Sequence, residues 1–195
     1  MNIEPTTTKE QEGYIFFAVS NRKLVLLSLS TCGLYDLYWA YKNWDIIEKK
    51  EDISPVFRAI FHAIFAYSLF KRIFESARKQ GFLEYTSIGL MASLYIIFLI
   101  AGNLSGREFF YNEFPTWSSF LFLISTLTIW PLIEIQKIII FNNKTIDPTY
   151  KPVEKFNLFE KVLVVFGGLL FLLVFLSESL VIIKLASLIV FELLN

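Results

Sequence analysis

Two acidic residues sit in or beside apolar runs, and they are the first place to look for chemistry. Asp36 lies within LVLLSLSTCGLYDLYWAY, and Glu134 lies in a long apolar run around Pro131. Charges at membrane depth are costly, so such residues are candidate functional groups by default. Lys137 stands one turn from Glu134 on the same helix face and can pair with it. Asp36, Glu134 and Lys137 are therefore the residues that would line a path for a solute or ion. Arg58 and His62 are four apart on one predicted helix, a spacing suited to a lipid phosphate or a proton relay. Lys71 and Arg72 follow on that helix, and Trp39 and Trp44 belong to an aromatic cluster beside it. With Asp36, these residues are the candidates for binding a lipid or a partner protein. Each has a plain structural alternative: Arg58 snorkelling to headgroups, His62 making one structural hydrogen bond, and the aromatics forming an interfacial belt.

Other chemistry is absent from the residue pattern. No phosphate-binding glycine loop, dinucleotide fingerprint, H-E-x-x-H or G-x-S-x-G motif occurs. One histidine and one cysteine cannot build a multi-histidine or cysteine-based metal site within the chain. No cofactor is expected, and the expectation is a protein that is not an enzyme. The 18 basic and 18 acidic residues cancel, which leaves no excess charge to attract nucleic acid. The chain is 195 residues long, 55% apolar and 17% aromatic, with mean hydropathy +0.54. That excludes a disordered chain and a disulfide-stapled mini-protein, and points to an integral membrane protein.

The elements that must position these residues follow from length. A spanning helix needs about 20 apolar residues, because the hydrocarbon layer is about 30 Å thick. Residues 86–104 are uncharged and meet that length. Residues 117–141 also meet it, with a kink expected at Pro131. The long run 158–194 is interrupted by Ser177-Glu178-Ser179, so a crossing over 158–176 and a separate apolar helix over 180–194 are expected. The first run, 24–42, is barely long enough; a crossing is favoured, and a re-entrant element is the alternative. Ser54 and Pro55 signal the start of a helix over 55–80, ending at Gly81. Its basic residues interleave with Phe57, Phe61, Phe65, Phe70 and Phe74, as in a helix lying along a membrane surface. The fold class expected is all-α: a multi-span helical bundle with one or two interfacial amphipathic helices, behind a polar tail over 1–15.

Arg22-Lys23 ahead of an apolar stretch ending Thr31-Cys32 faintly resembles a lipoprotein cleavage site, but that stretch is too short for one. Cys32 is expected as a small buried residue instead. Asn43, Gln136, Asn142 and Asn143 stand at span ends and are expected to cap or cross-link helices. Basic residues gather in 42–81 and 142–161, whereas 105–116 holds only Arg107. The positive-inside rule places the first two segments in the cytoplasm. A crossing at 24–42 would then put the amino terminus outside, against the charges of Lys9, Arg22 and Lys23.

A family resemblance rests on a further set of residues. Phe16-Phe17-Ala18-Val19-Ser20, Arg22-Lys23-Leu24, Ser28, Thr31, Gly33-Leu34-Tyr35, Tyr38-Trp39 and Tyr41-Lys42-Asn43-Trp44 resemble the opening of a prokaryotic membrane-protein family, domain of unknown function family 4234. Ile53-Ser54-Pro55, Arg58-Ala59, Tyr67-Ser68-Leu69-Phe70, Pro131, Gln136, Asn142-Asn143 and Gly167-Gly168 continue it in order. Cys32 and Glu134 depart from it, since larger or apolar residues are usual there. The resemblance implies a small multi-pass protein of the cytoplasmic membrane and no particular activity. The functional expectation is non-enzymatic binding of membrane lipids, other membrane proteins or a second copy. The alternative is a small transporter or channel subunit using Asp36 and Glu134.

Overall fold

The computed structural model describes residues 13–107 and 112–194. Most of the polar tail and part of the 105–116 loop lie outside them. The described residues are helical apart from connections and one isolated parallel bridge, Val19 to Val153. The helices are α1 (Asn21–Ser30), α2 (Leu34–Glu48), α3 (Pro55–Ile60), α4 (His62–Lys79), α5 (Ile88–Ser105), α6 (Pro115–Ser125), α7 (Ile129–Ile146) and α8 (Leu158–Leu194). A 3-10 turn, Thr126–Thr128, joins α6 to α7. Three stretches are long and apolar enough to cross a membrane: Ile88–Ser105, Pro115–Ile146 and Leu158–Glu192.

The first apolar run is not one helix. Cys32 and Gly33 both take left-handed backbone angles, φ 48° and 86°, and reverse the chain between α1 and α2. Gly33 accepts that conformation without penalty, whereas Cys32 carries some strain. Thr31 ties the reversal together. Its hydroxyl donates to the Leu27 carbonyl at 2.7 Å and accepts from the Tyr35 amide at 2.9 Å. The result is a helical hairpin, so the residues of 24–42 form parts of two helices and not the one continuous helix expected. With 10 residues, α1 is about 15 Å long, half the thickness of a hydrocarbon layer.

The hairpin lies against α8. Lys23 pairs with Glu160 at 2.8 Å, and seven residues later on both helices Ser30 meets Gly167. The two helices thus run in the same direction for about 10 Å. A Cβ on Gly167 would stand 2.1 Å from the Ser30 carbonyl oxygen, so only glycine permits this approach. Both ends of the hairpin emerge at the end of the bundle where Tyr14 meets Glu51 and Ser76 meets Asn142.

The core forms where α2, α4, α5 and α7 converge. Ala66, Leu69, Phe70, Ile73 and Ala77 recur at helical spacing on α4 and are all buried. They meet Trp39 and Trp44 of α2, Tyr95 of α5 and Leu132 and Ile135 of α7 in one apolar cluster. Ser54 accepts from the Phe57 amide and Pro55 opens α3, as the sequence predicts. The expected single helix over 55–80 is broken at Phe61, between α3 and α4. Phe70 is buried, while Phe57 and Phe61 remain exposed.

Two further expectations are modified. The irregularity in 117–141 falls at Thr126–Thr128, ahead of Pro131. Pro131 sits in the first turn of α7, where a missing N–H leaves few intrahelical bonds unmade. The interruption at 177–179 is also absent, and α8 is continuous over 37 residues. Ser177 and Ser179 turn their hydroxyls back to the Val174 and Phe175 carbonyls of the same helix, which satisfies them without ending it.

Candidate functional site: a cavity at the hairpin tip

The hairpin tip is the floor of a cavity of about 250 Å³. Ser28, Cys32, Gly33 and Asp36 come from the hairpin, Leu99 and Asn103 from α5, and Ser125, Thr126 and Thr128 from the bend between α6 and α7. Phe171 of α8, with Leu29, Phe98, Phe122 and Ile129, makes the larger part of the wall apolar. The 3-10 turn is what aims three hydroxyl residues at one space.

Among the described residues Asp36 is the only carboxylate in the lining, and it is 1% exposed. Ser28 donates a hydrogen bond to its Oδ1 at 2.5 Å. Asp36 also occupies the first turn of α2, where the helix dipole favours negative charge. Both interactions reduce the cost of burying the carboxylate. Among the described residues no Lys, Arg or His nitrogen forms an ion pair with it.

The other predicted site residues lie elsewhere. Glu134 and Lys137 pair with each other at 2.7 Å on a partly exposed face, away from the cavity lining. Arg58 stacks on Trp44, 4.5 Å from the ring centroid, and on Phe65 at 5.2 Å. His62 belongs to the next helix and meets the Tyr95 ring edge-on at 5.9 Å. Lys71 pairs with Glu75 at 3.8 Å, and Arg72 pairs with Glu51. Trp39 is buried and donates its indole N–H to Gln136 at 2.9 Å. Arg72, Glu51 and Tyr14 form a cluster at the end of the bundle. There burial, then the Glu51 charge and hydrogen bond, raise the Tyr14 phenol above its ordinary pKa.

The amides at span ends do more than cap. Asn43, Gln136, Asn142 and Asn143 are fully buried and grip the extended segment that precedes α1. Asn143 and Asn43 bond the backbones of Phe16 and Phe17, Asn142 donates to the Tyr14 carbonyl, and Gln136 donates to that of Val19. They occupy the place that a neighbouring strand would take in a sheet.

Residue types alone single out Asp36 but not its surroundings. Ser28, Asn103, Ser125, Thr126 and Thr128 are common helix residues, and the cluster Ser125-Thr126-x-Thr128 within an apolar run is the signal that points to them. Cys32, expected to be buried, is exposed at the left-handed turn, where it also borders the cavity.

The chain matches no family model, no curated protein and no solved structure.

Proposed function

We propose that this chain is an integral membrane protein with three crossings and a re-entrant hairpin, and that it admits a small polar solute as a transporter or channel subunit. The observation that carries this reading is Asp36, a buried carboxylate on the wall of a hydroxyl-lined cavity between apolar helices. Ionisable groups in such places mark substrate and ion pathways. A broken helix is tolerated at membrane depth where it lines a polar cavity. The hairpin also removes the charge conflict of a crossing at 24–42. Lys23 and the 42–81 and 142–161 segments then share one side, which the positive-inside rule makes cytoplasmic.

The role is non-enzymatic: the solute is held and passed, with no bond made or broken. Proteoliposomes challenged osmotically with glycerol, urea, methylammonium chloride and potassium chloride test it. Faster solute entry than in empty vesicles, slowed in Asp36→Asn, supports the reading. Entry indistinguishable from empty vesicles for every solute sinks it.

A second reading, contact with anionic lipid, is favoured by one surface. Val56, Phe57, Ile60, Phe61 and Ile64 are exposed on α3 and α4 beside the stacked Arg58. An apolar stripe beside a cation suits a headgroup boundary.

A further inference from the structure

We infer that the solute taken by the cavity is a compact cation, either an alkali ion or a small ammonium; this rests on reading the cavity as a solute site. The argument comes from where the protons around it point. A hydroxyl has one proton to donate and two lone pairs to offer. Ser28 gives its proton to Asp36. Ser125 gives its proton to the Phe122 carbonyl at 2.6 Å, Thr126 to Leu123 at 2.7 Å and Thr128 to Ser125 at 2.8 Å. Asn103 commits an amide N–H to the Leu99 carbonyl at 2.9 Å. The backbone N–H groups of the tip are spent as well: Cys32 donates to Leu29, and Gly33 donates to Ser28.

What the polar part of the wall has left to offer is therefore nearly all acceptor. It presents hydroxyl lone pairs, the Asn103 carbonyl and the Asp36 carboxylate, against one spare Asn103 N–H and the weak thiol donor of Cys32. Among the described residues no Lys, Arg or His lines the cavity. An anion would find no positive partner and would face Asp36. A polyol would find acceptors for its own hydroxyl protons and almost no donors for its oxygens. A cation needs only acceptors. The space of about 250 Å³ has room for several waters, and so for a partly hydrated alkali ion or an ammonium with a few carbons.

Cys32, the single cysteine, borders this wall, is exposed and supplies the test. The full chain in detergent is modified with two methanethiosulfonates of similar size, one bearing trimethylammonium and one bearing sulfonate. Each rate is normalised to that of a free thiol. Clefts lined by one sign of charge raise on-rates of the opposite sign by about 10-fold or more. The cationic reagent is expected to win by about that factor. Asp36→Asn should bring the ratio close to one, and Thr128→Val should lower it if Asp36→Asn fails to fold. Potassium chloride or ethylammonium chloride should slow the cationic reagent in the unaltered sequence, and whichever protects at lower concentration identifies the source. Equal normalised rates overturn the cation and leave the cavity reading standing. So does a high ratio that neither salt reduces beyond the effect of an equally concentrated bulky-cation salt. If neither reagent reaches Cys32 until the protein is unfolded, the cavity is closed to water and both readings fall.

Discussion

Asn143 holds Phe16 with both ends of one side-chain amide. Its Oδ1 accepts from the Phe16 N–H at 3.0 Å, and its Nδ2 donates to the Phe16 carbonyl at 2.6 Å. This is strand-like pairing supplied by a helix. It orders a segment that has no sheet to join, and that segment leads directly into the hairpin carrying Asp36.

Replacing Asn143 with Ala should therefore loosen the chain ahead of α1. Phe16 is buried, so its N–H loses its partner at about 1–3 kcal/mol, while its carbonyl keeps only the 3.5 Å bond from the Tyr150 hydroxyl. Faster hydrogen exchange at the Phe16 amide and easier proteolysis before Asn21 are the expected results. Asn143→Asp, which keeps the acceptor, should protect that amide better than Ala does.

Gly167→Ala should displace the hairpin from α8, because the new Cβ would fall on the Ser30 carbonyl. Overpacking of this kind costs about 1–3 kcal/mol. Gly168 supplies the control, since its Cβ would meet Ser30 Cβ at an ordinary 4.0 Å. Thermal unfolding in detergent should show a lowered midpoint for Gly167→Ala and little change for Gly168→Ala.

Lys23 is buried beside Glu160 and also donates to the Lys155 carbonyl at 2.8 Å. Lys23→Ala leaves Glu160 without its cation, a loss of about 3–5 kcal/mol for a buried pair. The exposed pair of Glu134 and Lys137 is worth about 0–1 kcal/mol. Glu134→Gln should unfold like the parent chain, and a deficit comparable to that of Lys23→Ala would contradict this assignment.

The proposed re-entrant hairpin predicts which positions share a side. In a Cys32→Ser background, Ile15→Cys and Lys49→Cys should react with an impermeant thiol reagent from the same face of a vesicle. Asn112→Cys should react from the other. Opposite labelling of positions 15 and 49 would restore a crossing at 24–42.

The long helices are legible in sequence because an uninterrupted apolar run has few other stable forms. The hairpin is not, because a largely apolar run of 18 residues fits a thin crossing as well as a reversal. What decides between them is the approach of Gly167, more than 130 residues away, and the backbone angles at Cys32 and Gly33. Likewise, Ser177-Glu178-Ser179 reads as a break until the serine hydroxyls bond their own helix and Ser119 donates to Glu178 at 2.5 Å. Asp36 stands out by its charge. The lone pairs facing it depend on where five neighbouring protons go, which residue type does not reveal.

The unbroken α8 has a consequence for lipid chain length. Its 37 residues extend about 55 Å, against about 30 Å of hydrocarbon. Even a tilt of about 40°, the upper end of the usual range, leaves it about 10 Å too long. Leu180, Ile183, Phe191 and Leu194 lie on the excess and are exposed. Mismatch costs a fraction of a kcal/mol per ångström, so bilayers of longer acyl chains should hold this protein more firmly than short ones.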